Sequence, residues 1–362
     1  MSVGIVKSQL EDVKDNLKKL FNQISYQPQK KKIFLKPNIV APQPPETGVI
    51  THPLLISALV EIFQEQGCEV VIGEGSSVAQ DTQKVFEMTD YSSIAKMYGI
   101  ELINLDKAER IEHEWKYGKL KLPKLIDTHE YINVAKMKTH IETKVSLGMK
   151  NQKGLLLPND KRKFHLKYYL HEAVYELSKI VTPDLTIIDG IIALEGDGPG
   201  RAGDPVDMGL LIAGTDLIEV DNVAYRIMGF DKDEIDYIPP CEKIQILGLN
   251  IDEVKKIFKK PKDKYASFKN INFYNMRACS GCIESFAGGF ARADKTKFVK
   301  PITVLAGKEA ELKSHNNEII CYGDCTKNFA AKHSLPHING CPPKPIQVAS
   351  IPNMLAGKDD NI

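Results

Sequence analysis

Five of the seven cysteines lie in the last third of the chain, at spacings that could support metal chemistry. Two of them form a Cys-x-x-Cys pair, and the candidates have glycines beside or between them, which favours loops whose N–H groups can turn toward a bound group. The candidate ligands are Cys279, Cys282, Cys325 and Cys341. Four cysteine thiolates converging on one core are what a [4Fe–4S] cluster requires. Since Cys-x-x-Cys also occurs in zinc sites and redox dithiols, structural zinc and reactive thiols remain alternatives.

The sequences around these cysteines resemble those of nickel–iron hydrogenase small subunits. The run Cys-Ser-Gly-Cys-Ile-Glu-Ser-Phe begins at Cys279, a Gly-Asp-Cys turn ends at Cys325, and the loop Gly-Cys-Pro-Pro-Lys-Pro contains Cys341. The last loop is also similar to one in the quinone-reducing subunit of complex I. The resemblance implies that these segments supply all four cluster ligands, whereas Cys321 has no counterpart and would be a strand residue unless it replaces Cys325. No second set of cysteine pairs is present to hold nickel, so hydrogenase activity is not implied.

A second set of polar residues lies in the first two thirds of the chain. Lys36 and Asn38 follow the apolar run 33–35, which is typical of a buried strand. The segment 136–153 is dense in lysines, hydroxyls and amides, and its candidate binding residues are Lys138, His140, Lys150 and Asn151. Such groups suit carboxylate or phosphate, so we expect them to bind a small anionic substrate. A solvated helix face is the alternative, but the alternation over 145–149 is not helical.

Three acidic residues lie just beyond predicted strands, at Asp189, Glu195 and Asp216. Their oxygens could hold Mg²⁺ or act as a general acid or base. The other interpretation is that Asp216 or Asp189 caps the helix that follows it. The glycine-rich loop at 196–200 matches no nucleotide fingerprint, so neither nucleotide nor NAD binding is expected.

Apolar runs alternate with helical segments through most of the chain. Predicted strands lie at 33–35, 69–72, 101–105, 130–134, 185–188 and 208–213, and the chain should begin with an amphipathic helix. This pattern predicts an α/β fold with a doubly wound, mostly parallel sheet, whose ligands bind at the carboxyl ends of the strands. Proline and positive charge near residue 260 predict a boundary between a substrate-binding domain, 1–260, and a small α/β iron–sulfur module, 261–362.

Five segments resemble, in order, those of the domain-of-unknown-function family 362. They are Lys-Pro-Asn at 36–38, Lys-Met-Lys-Thr-His at 136–140, Gly-Met-Lys-Asn-Gln-Lys-Gly at 148–154, Ile-Ile-Asp-Gly through Glu-Gly-Asp-Gly-Pro at 187–199, and Ala-Gly-Thr-Asp through Glu-Val-Asp at 213–221. The resemblance spans about residues 30–250. Members of this family are often joined to iron–sulfur modules, so the resemblance implies a fold and the place of a site but no particular reaction.

The overall composition excludes some classes of protein. Lys and Arg number 48 and Asp and Glu number 47, which argues against a dedicated nucleic-acid binder. No apolar run approaches the roughly 20 residues of a membrane span, and the first residues lack the apolar core of a signal peptide. We therefore expect a cytoplasmic protein with no membrane and no nucleic-acid partner, and an accessible cluster would favour an anaerobic host.

Together these patterns predict a cytoplasmic [4Fe–4S] oxidoreductase that passes electrons between its cluster and a small anionic substrate. One alternative is a non-enzymatic electron-transfer or assembly protein, in which the lysine-rich segment docks on a redox partner protein. The other is a zinc-stabilised binding protein with no redox role.

Overall fold

The computed structural model describes residues 2–78, 80–261, 265–268, 270–312 and 317–355. The chain divides into two compact units, Met1–Lys260 and Pro261–Ile362. No described helix combines the length and the apolar character that crossing a membrane requires.

The first unit alternates strands and helices along its length. Its strands are β1 (Ser2–Lys7), β2 (Lys32–Lys36), β3 (Glu69–Glu74), β4 (Glu101–Asn104), β5 (Arg110–Trp115), β6 (Gly118–Pro123), β7 (Glu130–His140), β8 (Lys144–Ser146), β9 (Leu185–Gly196), β10 (Gly203–Gly214) and β11 (Gln245–Gly248). Its helices are α1 (Val13–Gln23), α2 (Pro53–Glu65), α3 (Thr82–Glu87), α4 (Tyr91–Tyr98), α5 (Leu125–Thr128), α6 (Gly148–Asn151), α7 (Pro158–Leu166), α8 (Leu170–Ile180), α9 (Leu217–Ile227) and α10 (Ile251–Val254).

Most of these strands form one large sheet. Its order among the described residues is β11-β1-β10-β9-β7-β2-β3-β4, with β8 paired to the end of β7. The strands from β9 to β4 are parallel, whereas β10 runs antiparallel to both β9 and β1. Phe34 packs into one apolar core, and its neighbours Ile33 and Leu35 pack into another. Both faces of the sheet are therefore buried, and the predicted mixed α/β fold with a mostly parallel main sheet is confirmed.

The beginning of the chain differs from the prediction. Residues 2–7 are a strand rather than the start of the amphipathic helix, and Val3 pairs with Gly214 of β10. The helix itself is present as α1, which buries Leu17 and Leu20. The β5–β6 hairpin was not predicted either, and it forms a separate sheet of two strands.

The strands β7 and β9 are much longer than their apolar runs. All eleven residues of β7 are buried, including the polar ones that follow Val134. The prediction of a strand that ends near Val134 was therefore wrong, and so was the alternative of a solvated helix face for this part. β9 likewise continues past Asp189 to Gly196, so Asp189 and Glu195 lie within a strand rather than beyond its end.

The second unit contains a smaller sheet of mainly parallel strands. Its elements are β12 (Tyr265–Phe268), β13 (Ile271–Asn275), α11 (Ser280–Arg292), β14 (Ile302–Ala306), β15 (Glu318–Tyr322), α12 (Lys327–Lys332), β16 (His337–Ile338) and α13 (Ile351–Leu355). β13 to β16 are parallel and adjacent in that order, and β12 pairs antiparallel with β13. Phe286 joins the core of this unit, with ring centroids 4.8 Å from Phe273 and 5.3 Å from Tyr322.

Candidate functional site

The four predicted cluster ligands lie at one edge of the smaller sheet. Cys279 and Cys282 follow β13, Cys325 follows β15, and Cys341 follows β16. Because β13, β15 and β16 are parallel members of one sheet, their carboxyl ends share an edge. The topology thus brings three loops together that are well separated in the sequence.

Two of these loops are joined directly by hydrogen bonds. The backbone N–H of Asp324 donates to the carbonyl of Gly340 at 2.9 Å. In return, the N–H of Gly340 donates to Oδ1 of Asp324 at 2.7 Å. Each of these residues is next to a candidate ligand, so the pair of hydrogen bonds holds Cys325 and Cys341 at a fixed separation.

Gly323 marks the space between the thiols. It has a φ of 94°, a left-handed conformation that favours glycine. A Cβ atom at this position would lie 3.1 Å from Sγ of Cys282 and 3.7 Å from Sγ of Cys325. It would also lie 3.8 Å from the carbonyl oxygen of Gly340, beside Cys341. The loops that carry Cys282, Cys325 and Cys341 therefore all approach Gly323 on the side where other residues have a Cβ atom.

The thiols also affect one another electrostatically. The pKa of Cys282 is raised by a hydrogen bond with Cys279, then by burial, and then by charge on Cys279, Cys325 and Cys341. Burial and charge on Cys279 likewise raise the pKa of Cys325. Burial alone raises the pKa of Cys321, to about 11, since this thiol lies within β15. Four thiols thus form one group, and Cys321 lies in the sheet.

These residues fit a [4Fe–4S] cluster in type, number and convergence. Such a cluster takes one thiolate at each of four irons, and its cationic irons compensate the repulsion that four neighbouring thiolates would otherwise have. No three described His, Cys, Asp or Glu side chains are arranged to hold a single metal ion. A zinc ion would need all four sulfurs at about 2.3 Å. The cluster and zinc assignments both remain predictions, and the fit rests on the shared position of the four thiols.

In the first unit, the predicted substrate residues lie in a buried polar network. Nζ of Lys36 is 2.9 Å from Oε1 of Glu74, and both side chains are almost completely buried. Oε2 of Glu74 also accepts the N–H of Ile39, and its Oε1 accepts that of Gly75. Desolvation lowers the pKa of Lys36, and the charge of Glu74 opposes this effect. Lys36 therefore holds the ends of β2 and β3 together.

Asn151 lies at the centre of this network. Its Oδ1 accepts hydrogen bonds from Nζ of Lys36 at 3.2 Å and from Nδ2 of Asn38 at 2.9 Å. Its Nδ2 donates to Oδ1 of Asn133 at 2.8 Å. The amide thus connects α6 to β2 and β7, which is a positioning role for Asn151.

Lys138 continues the network along β7. Its Nζ donates to Oδ1 of Asn38 at 2.7 Å and to the carbonyl of Val49 at 2.8 Å. Residues 136, 138 and 140 alternate along the strand, a spacing that places side chains on one face. Lys36, Asn38, Lys138 and Asn151 are therefore brought together as the sequence suggested, at the carboxyl ends of parallel strands.

His140 lies at the end of β7 in a positive environment. Its Nδ1 accepts the N–H groups of Glu142 at 3.0 Å and Thr143 at 3.2 Å, so the ring proton is on Nε2. The pKa of His140 is far below its usual value, because of burial and then the charges of Lys150 and Lys153, among others. The ring is therefore neutral and carries a hydrogen-bond donor near several cations.

The predicted acidic residues do not meet at one point. Asp216 caps α9, since its Oδ1 accepts the N–H groups of Ile218 and Glu219 at 2.9 Å. Glu195 accepts the N–H of Lys259 at 2.9 Å. Asp189 is wholly buried against Lys136. Asp216 therefore caps α9, as one interpretation of the sequence suggested. A Mg²⁺ site at these three acidic residues remains a prediction without geometric support.

Several residues of this region were missed as site residues. They are Glu74, Asn133, Glu142 and Asp221, whereas Lys153, Lys161 and His165 lie in or just after the lysine-rich segment but received no individual role. Asp221 is fully buried and accepts the N–H groups of Gly148 and Met149 at 2.7 and 2.8 Å, which fixes the start of α6. Asp221 could have been identified from the sequence, because it ends the Glu-Val-Asp run, one of the motifs that resemble family 362.

The fold and these sites define a mixed α/β protein with a buried lysine-rich site and a separate four-thiol module. Residues 33–226 match the family described as Domain of unknown function (DUF362), and the chain belongs to that family. It is 29% identical over 225 residues to the thylakoid-associated protein sll1697 of a Synechocystis species, which covers 60% of this chain and 68% of that protein. No solved structure is significantly similar to the chain.

Proposed function

We propose that this protein binds one [4Fe–4S] cluster through Cys279, Cys282, Cys325 and Cys341 and acts as an oxidoreductase. The observation that carries this proposal is that the loops with the four cysteines meet at one sheet edge, with Gly323 beside the sulfurs of Cys282 and Cys325 and with Cys279, Cys325 and Cys341 all acting on Cys282. The likeness of the three loops to the proximal cluster site of nickel–iron hydrogenase small subunits supports it. When bound, such a cluster supplies electron transfer.

The proposed substrate is a small molecule with a carboxylate or phosphate group. Lys138, His140 and Lys150 would bind that group, because an ammonium group and a neutral imidazole N–H both donate hydrogen bonds to anionic oxygens. Lys36 and Asn151 would hold these residues in place through the buried network. The positive charges that act on His140 favour an anion at this position.

A second candidate is a non-enzymatic electron carrier or assembly partner that docks on a redox partner protein. The Synechocystis relative is described as thylakoid-associated, and association with a larger structure is what docking requires. A cytoplasmic location remains the expectation from the sequence.

Anaerobic purification with quantitation of iron, sulfide and zinc tests the cluster. About four irons and four sulfides per chain, with a broad absorption band near ~400 nm that dithionite bleaches, would support it. One zinc and no iron would overturn it in favour of a structural zinc site.

Thermal unfolding with a panel of anionic metabolites separates an enzyme from a docking protein. A substrate stabilises the folded protein by mass action and so raises the midpoint temperature. At a hundred times its dissociation constant, the free energy of unfolding rises by about 2.7 kcal/mol. Stabilisation by a small anion supports the enzyme. A protein that no anion stabilises, but that co-purifies with a redox partner, would support docking instead.

A further inference from the structure

Three side chains outside the predicted set form a line of polar contacts near His140. Nζ of Lys153 lies 2.7 Å from Nε2 of His165. On the other side of the ring, Nδ1 of His165 lies 3.4 Å from Oε2 of Glu142. These last two atoms are both buried, and among the described residues neither has a hydrogen-bond partner of good geometry, so their contact is an ion-pair distance. The carboxylate and the imidazole therefore face each other.

The contacts indicate which nitrogen of His165 carries the proton. A lysine ammonium group can only donate, so Nε2 accepts from Lys153 and Nδ1 carries the hydrogen toward Glu142. Burial by itself would raise the pKa of Glu142, but its contact with His165 and the charges of Lys150 and Lys153 lower that pKa overall. Glu142 is therefore suited to orient the ring and to stabilise it when it takes a second proton.

This arrangement is that of an activated nucleophile. A nucleophilic side chain lies within hydrogen-bond reach of a base, and a third group orients the base. Lysine is a nucleophile toward carbonyl carbon once it has lost a proton, and nearby cations favour that loss. Lys150 supplies a cation here, because it lies three residues before Lys153 in consecutive helical turns, and residues at that spacing are neighbours.

The position of the three residues relates them to the proposed anion site. His140 and Lys150 are only 3% and 9% exposed. Lys153 is half-buried, and the side chains of His165 and Glu142 are 17% and 14% exposed, so part of this line of contacts faces solvent. A ligand bound here would meet buried positive charge and a reactive amine together.

We propose that Lys153 is a nucleophile that forms an imine with carbonyl compounds bearing a carboxylate, such as 2-oxo acids. The inference rests on the proposed function for the carboxylate-binding part of the site. Lys153 first gives a proton to Nε2 of His165, and the neutral amine forms a C–N bond with the carbonyl carbon. The carbonyl oxygen leaves as water, with one proton from the amine and one from His165, and a protonated imine remains.

Reductive trapping tests this step and does not require the overall reaction of the protein to be known. The full chain is incubated with pyruvate and sodium cyanoborohydride, which reduces an imine to a stable secondary amine, and modified lysines are mapped by peptide mass spectrometry. We expect Lys153 to react about a hundredfold faster than the exposed Lys107, which is the size of a general-base effect. His165→Gln should remove most of this difference and leave the rate at Lys107 unchanged.

Equal labelling of Lys153 and Lys107 in the unsubstituted protein would overturn the proposal. That comparison needs no variant, so it holds even if His165→Gln fails to fold, and Glu142→Gln provides a second, milder change. Malonate, which has no ketone carbonyl, separates this inference from the anion site. If malonate stabilises the protein while Lys153 shows no enrichment, the nucleophile is wrong and the anion site stands. If neither anion stabilises the protein, the anion site itself is wrong.

Discussion

Lys136 and Asp189 form an ion pair of 2.8 Å in which neither side chain is exposed to solvent. The carboxylate also accepts the N–H groups of His52 at 2.8 Å and Ile191 at 3.1 Å. Desolvation lowers the pKa of Lys136, and the charge of Asp189 opposes this. The pair therefore connects β7, β9 and the start of α2.

Loss of one partner of this pair should be costly. We expect Lys136→Met to lower the free energy of unfolding by about 3–5 kcal/mol, because it leaves a carboxylate buried without its cation. Urea denaturation measures the change, and Lys107→Met, at an exposed position, is the matched control. Restoration of part of the loss by Lys136→Met with Asp189→Asn would agree with this cause. A change below about 1 kcal/mol in the single variant would contradict it.

The ligand assignment predicts which cysteines are needed for iron. Cys282→Ser and Cys341→Ser should lose the cluster, whereas Cys321→Ser should retain it, because Cys321 lies within β15. Iron and sulfide are measured after anaerobic purification. Equal iron in Cys341→Ser and the unsubstituted protein would exclude Cys341 as a ligand.

A single methyl group at Gly323 should also prevent cluster binding. In Gly323→Ala the new Cβ would lie 3.1 Å from Sγ of Cys282 and would require a left-handed conformation that alanine disfavours. We expect a loss of most of the iron with the first unit still folded. Gly288→Ala is the matched control, since a Cβ there meets no atom within 4 Å. Similar iron contents in the two variants would show that Gly323 does not border the cluster.

The anion site predicts a separable effect on ligand binding. Lys150→Ala should leave the visible spectrum unchanged and abolish the thermal stabilisation that an anionic ligand gives. Lys107→Ala should retain both properties. Full stabilisation of the Lys150→Ala protein would remove Lys150 from the site.

Asp221 should make stability depend on pH. Burial raises the pKa of this carboxyl from 3.8 to about 7, although the N–H groups of Met149 and Gly148 lower it. Since the folded-state pKa is above the unfolded value, the contribution of Asp221 to stability is full below about pH 4 and is lost as the pH rises through 7.

Urea unfolding between about pH 4 and 8 measures this contribution. Relative to Asp221→Asn, the unsubstituted protein should lose up to about 1.4 kcal/mol per pH unit as the pH rises toward 7. A difference that is constant with pH, or that grows in the opposite direction, would contradict the raised pKa of Asp221.

The general architecture could be predicted because it depends on local patterns. Apolar runs that alternate with helical segments predicted the parallel strands of the main sheet. The position of Asp216 before a helix likewise predicted that it could cap that helix. β1 was missed because the six residues Ser2–Lys7 adjoin a strongly amphipathic helix, and their antiparallel pairing with β10 depends on residues about 200 positions away.

The contents of the buried site could be predicted only in part. Sequence patterns treat lysine as exposed, and a lysine is rarely buried unless a partner accepts hydrogen bonds from its ammonium group or compensates its charge. For Lys136 the partner is Asp189, 53 residues further on, and for Lys138 it is Asn38, 100 residues earlier. No spacing in the sequence reveals such pairs. The contact of Lys153 with His165, 12 residues further on, joins two separate helical segments, so the sequence placed both near the polar segment without showing that they meet.

The two hydrogen bonds between Asp324 and Gly340 also bear on how a cofactor would be loaded. In many small metalloproteins the ligand loops are disordered until the metal binds, so loading and folding are one event. Here the polypeptide itself sets the distance between two of the ligand loops. A cluster delivered by a carrier protein would therefore bind to loops of which two are already joined. If oxidation then destroyed the cluster, these two hydrogen bonds would still join the loops of Cys325 and Cys341, because neither bond involves a thiol.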